Sequence, residues 1–288
     1  MGELHSRSPA RKRHHFVPEM LQKRFVDEDG WLHAYSRKRS DGAVYRSRPA
    51  NLFLEGHLYS FEDEQGSKVS SMEEDLGRLE QAADPVISRI VDAARYNERP
   101  ELERDELITW AAFLAIQWRR VPDLHLTVTT NDEVDRSLDA LMVELRETQP
   151  HLTEELAALD TPENRKRTIK RARVESLARV SGEVMDAIDS RGIAIAVIRQ
   201  PGKRFIIGGR PVIKLTNPGK TDIRHPECEL WLPVASDILV GLGKGRGTET
   251  VGPLTPDQVR HINSGVAKQS TVFASAVAAL TRSLARLR

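Results

Sequence analysis

Two adjacent histidines, His14 and His15, open the first apolar stretch of the chain, directly after the basic run Arg11-Lys12-Arg13. An imidazole changes charge near neutral pH, which suits it to act as general base, proton donor or metal ligand. Neighbouring residues point to opposite faces of a strand and about 100° apart on a helix. The pair is therefore poorly built to chelate one metal ion, and at most one ring faces a given pocket. The alternative for either ring is a structural bond to backbone, or packing on Phe16. A second candidate is Gln117 with Arg120, carried on an apolar segment from Glu101 to Arg120. A guanidinium on a buried helix needs a carboxylate or an anion, because burying an isolated charge costs several kcal/mol. Arg120 is thus either a bidentate ligand for phosphate or carboxylate, or the partner of Glu73, Glu74 or Glu80. A histidine, this arginine and a carboxylate brought together would form an acid/base and anion-stabilising site. The catalytic candidates are His14, His15, Glu74 and Arg120, with Gln117 as a binding candidate.

Other patterns bear on other chemistry. Arg165, Lys166, Arg167, Lys170, Arg171 and Arg173 give one helix a basic stretch that could track a phosphate backbone, with Arg167 and Arg171 as its binding candidates. The competing reading is a solvated helix face. Gly241–Gly247 (GLGKGRG) lacks the Lys-Ser/Thr ending of a P-loop and reads as a turn. His225 and Cys228 are at best half of a metal site, so no metal is expected, and no cofactor. No Gly-x-Ser-x-Gly elbow supports a serine hydrolase.

The elements that would position these residues can be read from periodicity and turn chemistry. Residues 1–13 read as a flexible basic arm and residues 14–288 as one α+β domain with its helical section at about 70–190. Val17-Pro18 predicts an extended entry into a short helix, and residues 31–45 a hairpin. Ser70 or Ser71 with Glu73 and Glu74 resembles a capping box. It opens a helix with Leu76, Leu79, Ala83, Ile87, Ile90 and Ala94 on its apolar face, and Pro85 predicts a kink or break there. Glu101 to Arg120 is apolar on more than one face and should be the most buried helix. Further amphipathic helices are expected over about 131–147 and 161–190. Ile193–Ile198 and Phe205–Ile207 suggest a second hairpin about Pro201-Gly202. Strands over 212–215, 229–233 and 238–242 should follow, then a capped helix from Thr255 to Lys268 and a last helix over 271–287. The fold expected is α+β, with N- and C-terminal strands sharing an antiparallel or mixed sheet against a central, mostly helical bundle.

Composition narrows the setting. With 288 residues and 39% hydrophobic content the chain can bury a sizeable core. One cysteine, Cys228, excludes an internal disulfide scaffold and suggests a reducing compartment. No apolar run approaches the length of a membrane span, and the polar N-terminus lacks a signal-peptide core, so a cytoplasmic location is expected. Lys and Arg number 43 against 42 Asp and Glu, so any contact with nucleic acid must come from a local patch.

The motif His14-His15-Phe16-Val17-Pro18, followed by Leu21-Gln22-Lys23-Arg24-Phe25, resembles the bacterial family known as domain of unknown function 4238. Similar features follow in order: Asn51 before Leu58-Tyr59-Ser60, a helix with Glu74 and Leu79-Glu80, Gln117-Trp118-Arg119-Arg120-Val121-Pro122, Leu232-Pro233 with Ser236-Asp237, and Asn263. The resemblance spans about residues 14–280 and adds Asn51, Arg119 and Asn263 to the binding candidates. It implies a fold and a pocket pattern but no established activity. Where such sequences commonly carry Ser-Asp-x-Pro, this chain has Gly208-Gly209-Arg210-Pro211. If that carboxylate is catalytic or metal-binding in relatives, the activity is lost here or the group comes from elsewhere.

Two functional classes follow. The first is a binding or effector module with a His/Glu/Arg polar core and a nucleic-acid or protein partner. The second is a metal-independent hydrolase or transferase on a phosphate-containing or nucleic-acid substrate. In it His14 or His15 is the acid/base, Glu74 or Glu80 orients the ring, and Arg120 holds the anion. The sequence sets no oligomeric state.

Overall fold

The computed structural model describes residues 13–56, 58–59, 61–62, 68–69, 71–120, 131–178 and 182–287. The basic arm before Arg13 lies outside them. Arg13 itself does not belong to the arm, because β1 (Arg13–His15) pairs antiparallel with β4 (Leu54–Gly56). Between these come helix α1 (Glu19–Gln22), β2 (Leu32–Ser36) and β3 (Tyr45–Ser47). The short strands β5 (Phe61–Glu62) and β6 (Lys68–Val69) pair with each other. The helical section contains α2 (Ser71–Arg95), α3 (Arg104–Arg119), α4 (Asn131–Thr148), α5 (Thr153–Leu159), α6 (Pro162–Ala178) and α7 (Gly182–Asp189).

The C-terminal part holds β7 (Ile193–Val197), β8 (Ile207–Gly208), β9 (Ile213–Leu215), β10 (Glu229–Pro233), β11 (Ile238–Leu242) and β12 (Glu249–Pro253). It closes with α8 (Pro256–Gln269), β13 (Val272–Ser275) and α9 (Ala278–Ala285). The fold is α+β. A mixed sheet has the order β12-β7-β11-β10-β9, with only the β12–β7 pair parallel. A second sheet, β3-β2-β13-β8, joins N-terminal and C-terminal strands. Every residue of β11 is buried, as expected of an unbroken apolar run in mid-sheet. One apolar core runs from Val17, Leu21 and Phe25 through Ile87 and Ile90 of α2 and Trp110 and Leu114 of α3 to both sheets.

Three local expectations fail in whole or in part. The helix anticipated over 271–287 is a strand followed by a shorter helix. Val272 and Phe273 suit a pleated surface, and β13 fills the gap between β2 and β8. Ile193–Val197 and Phe205–Ile207 do not form a hairpin. The chain leaves the turn at Gly202 for the other sheet, where Phe273 and Ala274 pair with Gly208 and Ile207. The helix expected over 161–190 is seen as α6 and α7, and residues 179–181 between them lie outside the described residues. Of the kink or break expected at Pro85, the break does not occur, because Ala83 and Val86, Ile87, Ile90 and Val91 continue one buried face across it. Packing thus outweighs one lost backbone donor.

Gly192 opens β7 with φ +62°, and a Cβ there would sit 2.5 Å from Gly245 O and 2.8 Å from Thr248 N. Gly192→Ala should therefore lower stability by about 1–3 kcal/mol in denaturant unfolding. Gly252→Ala, whose Cβ meets nothing within 4 Å, should change it little.

Candidate functional site

Pairing of β1 with β4 sets the two histidines. His14 lies opposite Glu55 and His15 opposite Leu54, so strand alternation sends their rings to different sides. The His14 ring is buried, stands edge-on to Tyr59 with centroids 5.7 Å apart, and places Nδ1 3.2 Å from Glu73 Oε2. The half-buried His15 ring has Nε2 3.2 Å from Pro49 O. Burial lowers the His15 pKa from its ordinary value, against the opposing pull of that carbonyl and of Glu19 and Glu80.

Arg120 caps the C-terminus of α3 and is 6% exposed. Its three nitrogens are all engaged: Nε donates to Tyr59 OH at 2.8 Å, Nη2 to His15 O at 2.5 Å, and Nη1 to Glu80 Oε1. Burial opposes the charge, but the Tyr59 oxygen and the Glu80 carboxylate raise the Arg120 pKa above its ordinary value. The guanidinium stays charged. The same burial pushes the Tyr59 hydroxyl up to about 12, so it remains protonated at neutral pH. Glu73 and Glu80, seven residues apart, share a face of α2. Glu74 is rotated roughly 100° from Glu73 and is exposed, so the carboxylate expected at Glu74 comes from Glu73 and Glu80 instead.

The carbonyls after His14 are each claimed by a different side chain. His15 O accepts from Arg120, Phe16 O from Gln117 Nε2 at 3.0 Å, and Val17 O from Gln22 Nε2 at 2.8 Å. Gln22 also donates to Leu52 O at 3.3 Å, and Phe16 N to Phe53 O at 3.0 Å. The segment His14–Pro18 is thus a strand end docked by side chains after its ladder stops. Gln22 and Tyr59 are site residues that the sequence reading does not single out, and Glu73, offered there as a partner of Arg120, instead meets His14. The signal for Gln22 was a polar residue amid Leu21 and Phe25 with burial to satisfy.

Asn51 and Asn263 lie apart from this cluster. Asn51 is exposed in the short turn Pro49–Asn51, where its backbone N–H donates to Arg48 O, and only its neighbour Pro49 reaches His15. Arg119 is half-buried and points roughly 100° round α3 from Arg120. Asn263 is buried on α8, where it accepts from Ile206 N at 3.0 Å and donates to Arg204 O at 2.9 Å. Gly208 and Gly209 occupy tight places. A Cβ on Gly208 would meet Val266 Cγ1 at 2.6 Å, and one on Gly209 would lie 3.2 Å from the Phe16 ring. Position 209 therefore faces the residue after the histidine pair, and an aromatic ring fills that space.

On α6, Arg165 is held by Asp139 at 2.7 Å and Asp160 at 2.5 Å, while Lys166, Arg167, Lys170 and Arg171 are exposed. Val174 packs with Tyr59, Met72 and Leu76, so the basic helix is anchored beside the polar cluster. Among the described residues no group of three or more His, Cys, Asp or Glu is placed to hold a metal ion, and no helix is long and apolar enough to cross a membrane.

Fold and site define an α+β protein organised round a buried histidine, arginine, tyrosine and glutamate cluster. The chain belongs to the family described as Protein of unknown function (DUF4238), whose model matches residues 13–282. No curated protein and no solved structure gives a match.

Two outcomes follow from the cluster. Arg120→Ala leaves Glu80, Tyr59 and the His15 carbonyl without their donor, and should cost about 3–5 kcal/mol in urea unfolding. Arg120→Lys should recover only part, because one ammonium cannot span the three directions of the fork. For His15 the folded pKa lies below the unfolded value near 6.5, so the unfolded chain binds the extra proton between the two. Stability from this group is complete above pH 6.5 and is lost as pH falls through the lower folded value. The slope of unfolding free energy against pH in that window should be shallower in His15→Gln.

Proposed function

We propose that this protein is a binding or effector module of the cytoplasm, whose polar cluster is structural and whose basic helix α6 meets a polyanionic partner, most simply nucleic acid. The observation that carries this reading is the Arg120 guanidinium, buried and with each nitrogen donating to a protein acceptor. A substrate anion would have to displace Glu80, Tyr59 or the His15 carbonyl, each a strong partner in a low-dielectric place. Tyr59 also belongs to the apolar group that seats Val174, so the cluster orients the helix that carries the charge. That helix has six basic residues against two acidic ones, and Arg165 already has its acids. Exposed Lys166 and Lys170 lie one helical turn apart, a spacing that supports contact with successive phosphates.

A second reading, hydrolysis or transfer at a phosphate centre, rests on the approach of Glu73 to His14. A carboxylate beside an imidazole is an acid/base arrangement, and the Glu73 side chain keeps 28% of its exposure.

Labelled single- and double-stranded oligonucleotides, followed by anisotropy at about 50 and about 200 mM salt, separate the two. Binding that weakens with salt, without cleavage, is expected. In Lys166→Ala/Lys170→Ala the log–log salt slope should fall by about 2, one for each phosphate contact. Absence of salt-dependent binding would refute the binding reading. Cleavage by wild type that disappears in folded His14→Gln would establish the second.

A further inference from the structure

A cavity of about 370 Å³ lies between the N-terminal half of α8, helix α9 and the turn at Gly202–Arg204. It is remote in composition from the polar cluster. Its floor is apolar, with Val259, Leu280, Leu284 and Leu287, while Lys203, Arg204 and Arg260 stand on its rim, and among the described residues no carboxylate side chain lines it. The volume falls at the small end of the roughly 300–1,000 Å³ usual for small-molecule sites. Its rim charge is available. Among the described residues Lys203 has no acidic partner, and Arg204 donates only to the adjacent Lys203 carbonyl at 2.7 Å. Arg260 meets Asp257 at 3.0 Å in a pair that is largely in water, so that contact holds it weakly.

The rim is also positioned. Buried Asn263 donates to Arg204 O and accepts from Ile206 N, which fastens the backbone carrying both cations to α8. Val277, which also lines the cavity, remains 41% exposed, an apolar surface that the fold leaves in water. Apolar floor and cationic rim together select a molecule with the same division.

We propose that this cavity binds a small anionic amphiphile, an apolar body of medium chain length on Leu280 and Leu284 with a carboxylate or phosphate head between Lys203 and Arg204. The two head groups share the chemistry the rim recognises, a compact anion able to take several charge-assisted hydrogen bonds. A neutral molecule of the same length would leave the cations without a partner. The site is independent of the surface proposed on α6.

Calorimetric titration of the full chain with decanoate, decyl phosphate and decanol, below their aggregation concentrations, tests this. Saturable binding of at least one anion at one per chain is expected, with decanol at least tenfold weaker. In Lys203→Glu/Arg204→Glu, two exposed positions whose exchange should leave the fold intact by circular dichroism, anion binding should fall at least tenfold while decanol is unchanged. Leu280→Trp, which fills the floor, should reduce all three. The proposal is overturned if neither anion binds saturably, if decanol binds as tightly as the anions, or if the charge-reversed variant binds them as wild type does.

Discussion

A guanidinium taken out of water has to be met on every side, and Arg120 imposes that demand on half the molecule. Its position at the end of a helix packed through Trp110, Phe113 and Leu114 leaves it no route to solvent. The donors then have to be answered from elsewhere in the chain: Glu80 from α2, the Tyr59 hydroxyl from the loop before it, and the His15 carbonyl from β1. Three distant segments are brought to one point because an unmet charge there would cost more than ordering them. The glutamines extend the same logic to uncharged groups, since Gln117 and Gln22 answer the next two carbonyls of a strand that has run out of ladder.

This arrangement ties the histidine motif to the helical section and the helical section to the surface. Tyr59 bonds to Arg120 on its polar side and packs on Met72, Leu76 and Val174 on its apolar side. One side chain thus links the charge cluster to the basic helix, through packing in one direction and charge-assisted bonding in the other. Asn263 does comparable work at the other end of the chain, holding the turn that carries Lys203 and Arg204 against α8. In the first place a buried side chain seats a helix by packing, and in the second a buried amide fixes backbone by hydrogen bonds.

Much of this was legible before any coordinates. Adjacent histidines in an extended segment must diverge, and they do. An arginine on an all-round apolar helix must find an acid, and Glu80 was among the three offered. Choosing between Glu73, Glu74 and Glu80 depended on which face of α2 turns inward, and the spacing of Met72, Leu76 and Ala83 defines a face that includes 73 and 80 but not 74. Where reading failed, long-range pairing decided. Thr271 to Leu287 has enough apolar residues for a helix, but Val272–Ser275 lies between two strands that need a partner. Ile193–Val197 and Phe205–Ile207 look like the arms of a hairpin, yet each finds a better neighbour in a different sheet.

Local rules therefore determined the α+β class, the extended entry through Val17-Pro18, the burial of α3 and the need of Arg120 for a counter-charge. These depend on periodicity, side-chain direction and desolvation, which act within a few residues. Only the tertiary structure decided that Glu73 meets His14, that Tyr59 completes the Arg120 fork, and that Asn263 belongs to a separate cavity rather than to the cluster. Those outcomes depend on which segments, tens or hundreds of residues apart, compete for the same buried space. No spacing within one segment encodes that competition.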